Sequence, residues 1–580
     1  MYTEGRLYVA HSDSGALDLC GQMANRHGLI AGATGTGKTV SLQVLAETFS
    51  QAGVPCFMAD MKGDLSGISQ KGTMSSFIQK RCPEFGIENP VFAGCPTRFW
   101  DVYGEKGFPM RTTVSAMGPM LMSRILDLND VQSGVMEIIF RIADDQELLL
   151  IDLKDLRALL DYVGKNASAF TTAYGNISSA SIGAIQRSLL SLESQGGDLF
   201  FGEPEFDVQD LLDCEGRYGI MNVLAADRLM MNPKLYSTFM LWLMTELYSV
   251  LPEVGDRDLP KLVFFFDEAH MLFDSEISKN MVSKVEQVVR LVRSKGVGIY
   301  FISQSPSDIP EDILGQLGNR IQHALRAYTP KDQKAVRAAA QTFRANPDFK
   351  TEDAIMNLGT GEALVSFLDE KGTPSIVQQA KILFPLSQIG AIDDAVRAQI
   401  MASAPNRIKA YANAEDPESA FEVLTAKAEQ ARKAAEAAAE QARMEEEAAR
   451  QEKEERRNSS GRSSGRGKSV ARTIFGTMIG AAASSFARSL GTSVAKKATG
   501  AITGTGTAKS RSTSSSSRKG SSSSKTGSSS SKTGRSSSKT GSTSSKSGKQ
   551  SSTVLEKAVQ SGVSSAFRKI SGELVKELLK

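Results

Sequence analysis

Eight consecutive residues, Gly32-Ala33-Thr34-Gly35-Thr36-Gly37-Lys38-Thr39, constrain this chain more than any other stretch. Their G-x-x-x-x-G-K-T spacing is that of a phosphate-binding loop. The flanks suit it. His27-Gly28-Leu29-Ile30-Ala31 reads as a short buried strand, and Val40, Leu42, Leu45 and Phe49 recur at helical spacing behind the loop. Glycines let backbone N–H groups converge on an anion, and the helix N-terminus adds partial positive charge. Gly32, Ala33, Thr34, Gly35, Thr36, Gly37, Lys38 and Thr39 are therefore candidate nucleotide-binding positions, with ATP and Mg²⁺ as the expected cofactors. Lys38 is the candidate for the terminal phosphates, and Thr39 is a candidate Mg²⁺ ligand.

A second anchor lies far downstream. Lys261-Leu262-Val263-Phe264-Phe265-Phe266-Asp267-Glu268 is an apolar run ending in two acids. Such a run suits a strand buried on both faces of a parallel sheet. Asp267 is then a candidate to position Mg²⁺, and Glu268 to orient and polarise the attacking water. Gly296 to Gln304 reads as another buried strand with a polar end, which makes Gln304 a candidate sensor of the γ-phosphate or the attacking water. Val54 to Asp60 reads as a strand ending in Asp60-Met61-Lys62-Gly63-Asp64. Polar residues at that end of a parallel strand face the ligand crevice. Asp60, Lys62 and Asp64 are candidates for the nucleotide neighbourhood, or else form a solvated turn with an internal ion pair.

The expected organisation follows the changes in pattern. Residues 1–113 form the first part of the core, and 114–205 a helical insertion in which Asn129-Asp130 can cap a helix with Gln132 in its first turn. Residues 206–403 form the second part of the core, closing in a hairpin around Glu370-Lys371-Gly372-Thr373. Residues 404–457 are expected to form a charged Ala/Glu/Lys helix whose mostly Ala stripe makes a poor coiled coil. Residues 458–552, rich in Ser, Gly, Thr and Lys, carry the seven-residue repeat Ser521 to Gly527 and Ser528 to Gly534. Too little apolar surface is available there to offset ordering entropy, so this tail is expected to be disordered. Residues 553–580 are expected to close the chain with an amphipathic helix.

The net charge of +3 conceals an uneven layout, because Asn458 to Leu555 contains no Asp or Glu while Lys and Arg recur throughout. The five cysteines show no metal-ligand spacing, which points to reduced thiols and a cytoplasmic setting. The first residues lead straight into polar sequence without a signal peptide. No apolar run reaches the roughly 18–20 residues that span a bilayer, so no integral membrane segment is expected.

Asp267-Glu268-Ala269-His270 spells the box of a well-known helicase class, but those enzymes carry the box about one small half-domain after the phosphate loop and add a second RecA-like domain. Here the box lies much further from the phosphate loop, with a helical insertion expected between them, and a second RecA-like domain is not expected. The chain instead resembles the HerA–FtsK superfamily of P-loop ring ATPases, and more closely a bacterial family of HerA-like helicases or ATPases. The resemblance rests on Gly32 to Thr39, Asp60 to Gly67, Gly183 to Leu189, Leu262 to His270, Arg293 to Gln304 and Gly315 to Arg320, and covers roughly residues 5–390. It implies a RecA-like P-loop NTPase core assembled as a homo-hexamer, with nucleotide between subunits. Arg293 matches the place from which a neighbouring subunit inserts an arginine finger, with Arg320 as runner-up; the alternative for each is an ordinary ion pair. The β-barrel that precedes the core in HerA is not expected here, nor are the membrane helices and winged helix of FtsK.

The expected function is thus an ATP-driven motor, a DNA translocase or helicase-like enzyme acting on double-stranded DNA. Its basic tail, which lacks aromatic residues for base stacking, would touch phosphates without reading sequence. The alternative is a nucleotide-gated oligomeric scaffold that recruits protein partners through the tail.

Overall fold

Apolar strands that alternate their side chains between two layers build the centre of this protein. The computed structural model describes residues 1–3, 5–255, 257–273 and 279–459. The expected tail and terminal helix lie outside them. A 13-stranded sheet organises the chain. Its principal strands are β1 (Arg6–Ser12), β2 (Gly28–Ala31), β3 (Cys56–Asp60), β4 (Thr97–Asp101), β5 (Met221–Ala225), β6 (Leu262–Phe266), β7 (Val297–Ser303), β8 (Asn319–Gln322), β9 (Glu362–Ser366) and β10 (Gln378–Ile382). They lie in the order β1-β10-β9-β8-β2-β7-β6-β3-β5-β4. From β8 to β4 every neighbouring pair is parallel. From β8 back to β1 every pair is antiparallel. The mostly parallel α/β sheet expected from the sequence is the architecture found.

Strand β6 shows why the middle of the sheet is stable. All its residues are buried. Leu262, Phe264 and Phe266 enter the core on one face, and Val263 and Phe265 the core on the other. Aromatic side chains meet across the strands. Phe264 lies 4.8 Å from Phe57 of β3, Phe266 5.5 Å from Phe301 of β7, and Phe265 5.5 Å from Tyr300 of β7, measured between ring centroids. Such cross-strand pairs fix register as well as adding burial.

Helix α1 (Lys38–Gln51) packs on the Val263/Phe265 face, where its Phe49 meets Phe265 and Tyr300. The opposite face is covered by α2 (Val114–Ile125), α3 (Asp130–Asp145), α4 (Leu153–Lys165), α5 (Ala167–Tyr174), α6 (Ser179–Ser194), α7 (Pro233–Val250) and α8 (Lys279–Val292). The insertion between β4 and β5 therefore shares one apolar core with the sheet. At the start of α3, Asn129 and Gln132 form the capping box anticipated above.

The charged helix, α9, runs from Ala420 to Ser459 rather than from 404. Residues before it are held against the core instead. Ile408 and Tyr411 are buried, Arg407 pairs with Asp210 and Asp213, and Pro405 and Pro417 break any continuous helix. The described residues to Lys433 belong to one compact unit. A second unit begins at Ala434, within α9, where Arg450 and Arg456 pair with Glu446 and Glu452 one turn earlier.

Candidate active site at the strand ends

The phosphate loop occupies the turn between β2 and α1. Its first glycine, Gly32, has φ 154°, and a Cβ there would lie 2.5 Å from Cβ of His323. Only glycine fits that approach. Gly37, which caps α1, has φ 115° in the left-handed region. Outside contacts hold the loop: Ala33 N donates to Ala324 O at 2.8 Å, Gly32 N to Ser303 O at 3.3 Å, and Gly361 N to Thr36 O at 3.0 Å. Lys38 Nζ lies over the loop, donating to Gly32 O at 2.7 Å and Ala33 O at 3.2 Å. Burial lowers its pKa, against the raising influence of Glu268 and Asp267. Thr39 follows in the first turn of α1, half-buried.

His323 supports the loop from beneath, a role with no sequence motif to announce it. Its Nδ1 donates to Glu362 O at 2.9 Å, which leaves Nε2 to accept from Ser41 Oγ at 2.7 Å. Burial pushes its pKa down to about 4, so the ring is neutral and ties α1 to β8 and the start of β9.

Register brings the acidic pair level with the loop. Ser303 of β7 pairs with Ala31 of β2, and Phe266 of β6 pairs with Phe301 of β7. Gln304, Asp267 and Glu268 therefore all follow strand ends on the loop's side of the sheet. Gln304 is exposed there, on a turn fixed by Asp308, which accepts from Ser303 Oγ at 2.7 Å and Ser305 N at 2.8 Å. Asp267 is buried and accepts from Glu268 N at 3.0 Å. Burial and the neighbouring Glu268 raise its carboxyl to about 6.

Glu268 has φ 46°, a left-handed conformation that a non-glycine residue holds at a cost. That backbone turns the side chain inward until it is 13% exposed. Its Oε1 accepts from Lys62 Nζ at 2.7 Å. Its Oε2 is buried without a hydrogen bond, with His270 Nδ1 3.5 Å away. Burial opposes ionisation of Glu268, but the Lys62 ammonium outweighs it and holds the carboxyl below its usual range.

Asp60 shapes the turn that delivers Lys62. Its carboxylate accepts from the backbone N–H groups of Lys62, Gly63 and Leu65 at 3.3, 2.7 and 3.1 Å. The segment is thus a turn whose ion pair reaches across to the neighbouring strand, a pairing that local sequence does not reveal. Asp64 Oδ1, four residues after Asp60, is buried without a hydrogen bond.

The structure brings together Lys38, Thr39, Asp267, Glu268 and Gln304 within one chain. It does not bring Arg293 to them. Arg293 lies in a short turn before β7, at the opposite end of that strand from Gln304, where its charge acts on buried His27. Arg320 is committed elsewhere: Nε, Nη1 and Nη2 donate to the carbonyls of Leu317, Thr342 and Leu314 at 2.9, 2.8 and 3.0 Å. The glycine cradle, the carboxylate of Asp267 and the orphaned Oε2 of Glu268 form a donor and acceptor set that fits a nucleoside triphosphate with a hard divalent cation.

The family model described as "Helicase HerA-like C-terminal" matches residues 6–511. Among individual proteins, the "DNA double-strand break repair helicase HerA" of Pyrococcus furiosus is 32% identical over 123 residues, which is 21% of this chain and 20% of that one. Its Sulfolobus acidocaldarius namesake is 29% identical over 99 residues, 17% of this chain and 19% of that protein. The chain thus spans about a fifth of the length of these curated relatives. Among solved structures, the unbound bacterial conjugative coupling protein TrwB is similar with a TM-score of 0.44 at 14% identity, over 65% of this chain and 89% of that one. VirB4 of Thermoanaerobacter pseudethanolicus is similar with a TM-score of 0.42 at 15% identity, over 67% of this chain and 98% of that one.

Proposed function

Because the chain belongs to the HerA-like helicase C-terminal family, we propose that it is an ATP-hydrolysing ring motor that translocates along double-stranded DNA. The observation that carries the hydrolytic part is the alignment of strand ends. The loop after β2, Gln304 after β7 and Asp267-Glu268 after β6 stand side by side at one edge of the sheet. Loop N–H groups and Lys38 hold the phosphates. Glu268 accepts a hydrogen bond from the attacking water and turns its oxygen toward the terminal phosphorus, and Gln304 contacts the same water or the γ-phosphate. Thr39 and Asp267 would hold Mg²⁺, which offsets phosphate charge when bound. Hydrolysis transfers the terminal phosphoryl group to water and leaves ADP.

In a hexamer, Arg293 of one subunit would stabilise charge on the phosphoryl group held by its neighbour. Such a group is worth about 10³–10⁵ in rate. The position of Arg293 away from its own chain's loop is compatible with service to an adjacent copy. The DNA substrate is supported by the family and by the basic sequence beyond Asn458. Recruitment of a protein partner through that tail is a further part of the proposal.

The test of the hydrolytic assignment is Glu268→Gln. The variant is expected to bind ATP as the parent does and to lose turnover by about 10²-fold or more. Turnover at the parent rate would remove Glu268 from the reaction.

A further inference from the structure

The phosphate loop has two unlike flanks. On one stand β7 and β6, carrying Gln304 and the acidic pair. On the other stand β8 and β9, and the residue just before β9 is Gly361, whose N–H donates to Thr36 O at 3.0 Å. With the terminal group of a triphosphate at Glu268, the flank of the loop left for its other end is the one that carries Gly361. Whatever its other end carries emerges there.

An aromatic side chain waits at that point. The short helix Ser76–Arg81 begins at Ser75, whose hydroxyl accepts from Ile78 N at 3.2 Å. Ile78 and the following Cys82 are buried in the core that α1 shares, which fixes the helix against the fold. Phe77 and Arg81, one turn apart, face elsewhere. Phe77 is 50% exposed although it is a large apolar residue. A Cβ on Gly361 would lie 3.6 Å from Phe77 Cζ and 3.6 Å from Arg81 Nη2, and a Cβ on Gly37 would lie 3.4 Å from Gly361 Cα. Phe77 therefore stands one residue's width from the loop. The Arg81 guanidinium lies 4.9 Å from the ring centroid. It is held in place by donation from Nη2 to Thr360 O at 3.3 Å, while Nη1 is buried without a hydrogen bond.

We propose that Phe77, backed by Arg81, is the platform on which the base of the bound nucleotide stacks. The inference rests on the nucleotide-binding reading above and adds the residue that separates a nucleotide from a bare polyphosphate. An aromatic face accepts any base, so the platform provides affinity rather than a choice among bases. The guanidinium over the ring keeps it from collapsing onto the protein surface.

The test measures binding of Mg²⁺·ADP and of inorganic diphosphate to the full chain by calorimetry, in the parent, Phe77→Ala and Phe77→Trp. The parent should bind ADP more tightly than diphosphate. Phe77→Ala should weaken ADP by about tenfold or more and leave diphosphate unchanged, and Phe77→Trp should restore ADP affinity. Unchanged ADP binding in Phe77→Ala, or equal weakening of both ligands, would overturn the platform. So would a parent that binds both ligands equally, with the phosphate site still standing. A parent that binds neither would overturn the nucleotide reading itself and the platform with it.

Discussion

At the residue scale the candidate site turns on how Glu268 is held. A carboxylate this deeply placed resists ionisation, and Lys62 reverses that through one charge-assisted hydrogen bond. Lys62 is itself half-exposed, and its own pKa is raised chiefly by that bond. Lys62→Met keeps the aliphatic stem and deletes the ammonium. If ionised Glu268 orients the water, the acid limb of the turnover–pH profile should move to higher pH, and an unmoved limb would separate Lys62 from Glu268's ionisation. The residues of the loop and the acidic pair were legible because their chemistry is written in contiguous spacing. The Lys62–Glu268 pair joins residues that only the strand order β6-β3 makes neighbours, and no local signal marks it. His323, which follows β8 and bonds to α1 and the start of β9, likewise has no local signal. Gly315 to Arg320 was legible as a segment, yet Arg320 is spent on three carbonyls, and Asn319 bridges Met23 O, His27 O and Leu368 N.

At the scale of elements, buried histidines join parts of the sheet to the helices around them. His27 accepts from Ile299 N of β7 at 3.0 Å through Nδ1 and donates through Nε2 to Val289 O of α8 at 2.9 Å. His323 does the equivalent for α1 and the start of β9. Burial lowers both pKa values to about 4. The unfolded chain, with ordinary histidines near 6.5, binds more protons between those values, so stability is full above about 6.5 and falls as the pH drops toward 4. Each histidine carries roughly 3 kcal/mol of this dependence. Asp60 and Asp267, whose carboxyls burial raises to about 6, act with the opposite sign over the same range, so the test is the difference between variants: His323→Gln should lose less of its thermal midpoint than the parent as the pH falls from 6.5 to 4. A slope unaltered by that replacement would contradict a neutral buried His323. Apolar runs such as Leu262 to Phe266 were legible because burial on both faces leaves no polar alternation. The start of α9 is marked by Pro417, which a helix interior does not tolerate, whereas the docking of the preceding segment through Ile408 and Tyr411 has no local signal.

At the scale of the whole molecule, the proposed motor is a ring in which one subunit's loop would meet the next subunit's Arg293, with a basic tail that would add sequence-blind affinity for DNA. Among the described residues no helix is long and apolar enough to cross a membrane. The most direct measurement is ATP turnover by the full chain with and without double-stranded DNA, at low and at moderate salt. Duplex DNA is expected to accelerate turnover, and the acceleration to weaken as salt screens the phosphate contacts. Slow turnover indifferent to DNA at both salt concentrations, accompanied by nucleotide-dependent assembly, would contradict the proposed motor and make the chain a nucleotide-gated scaffold.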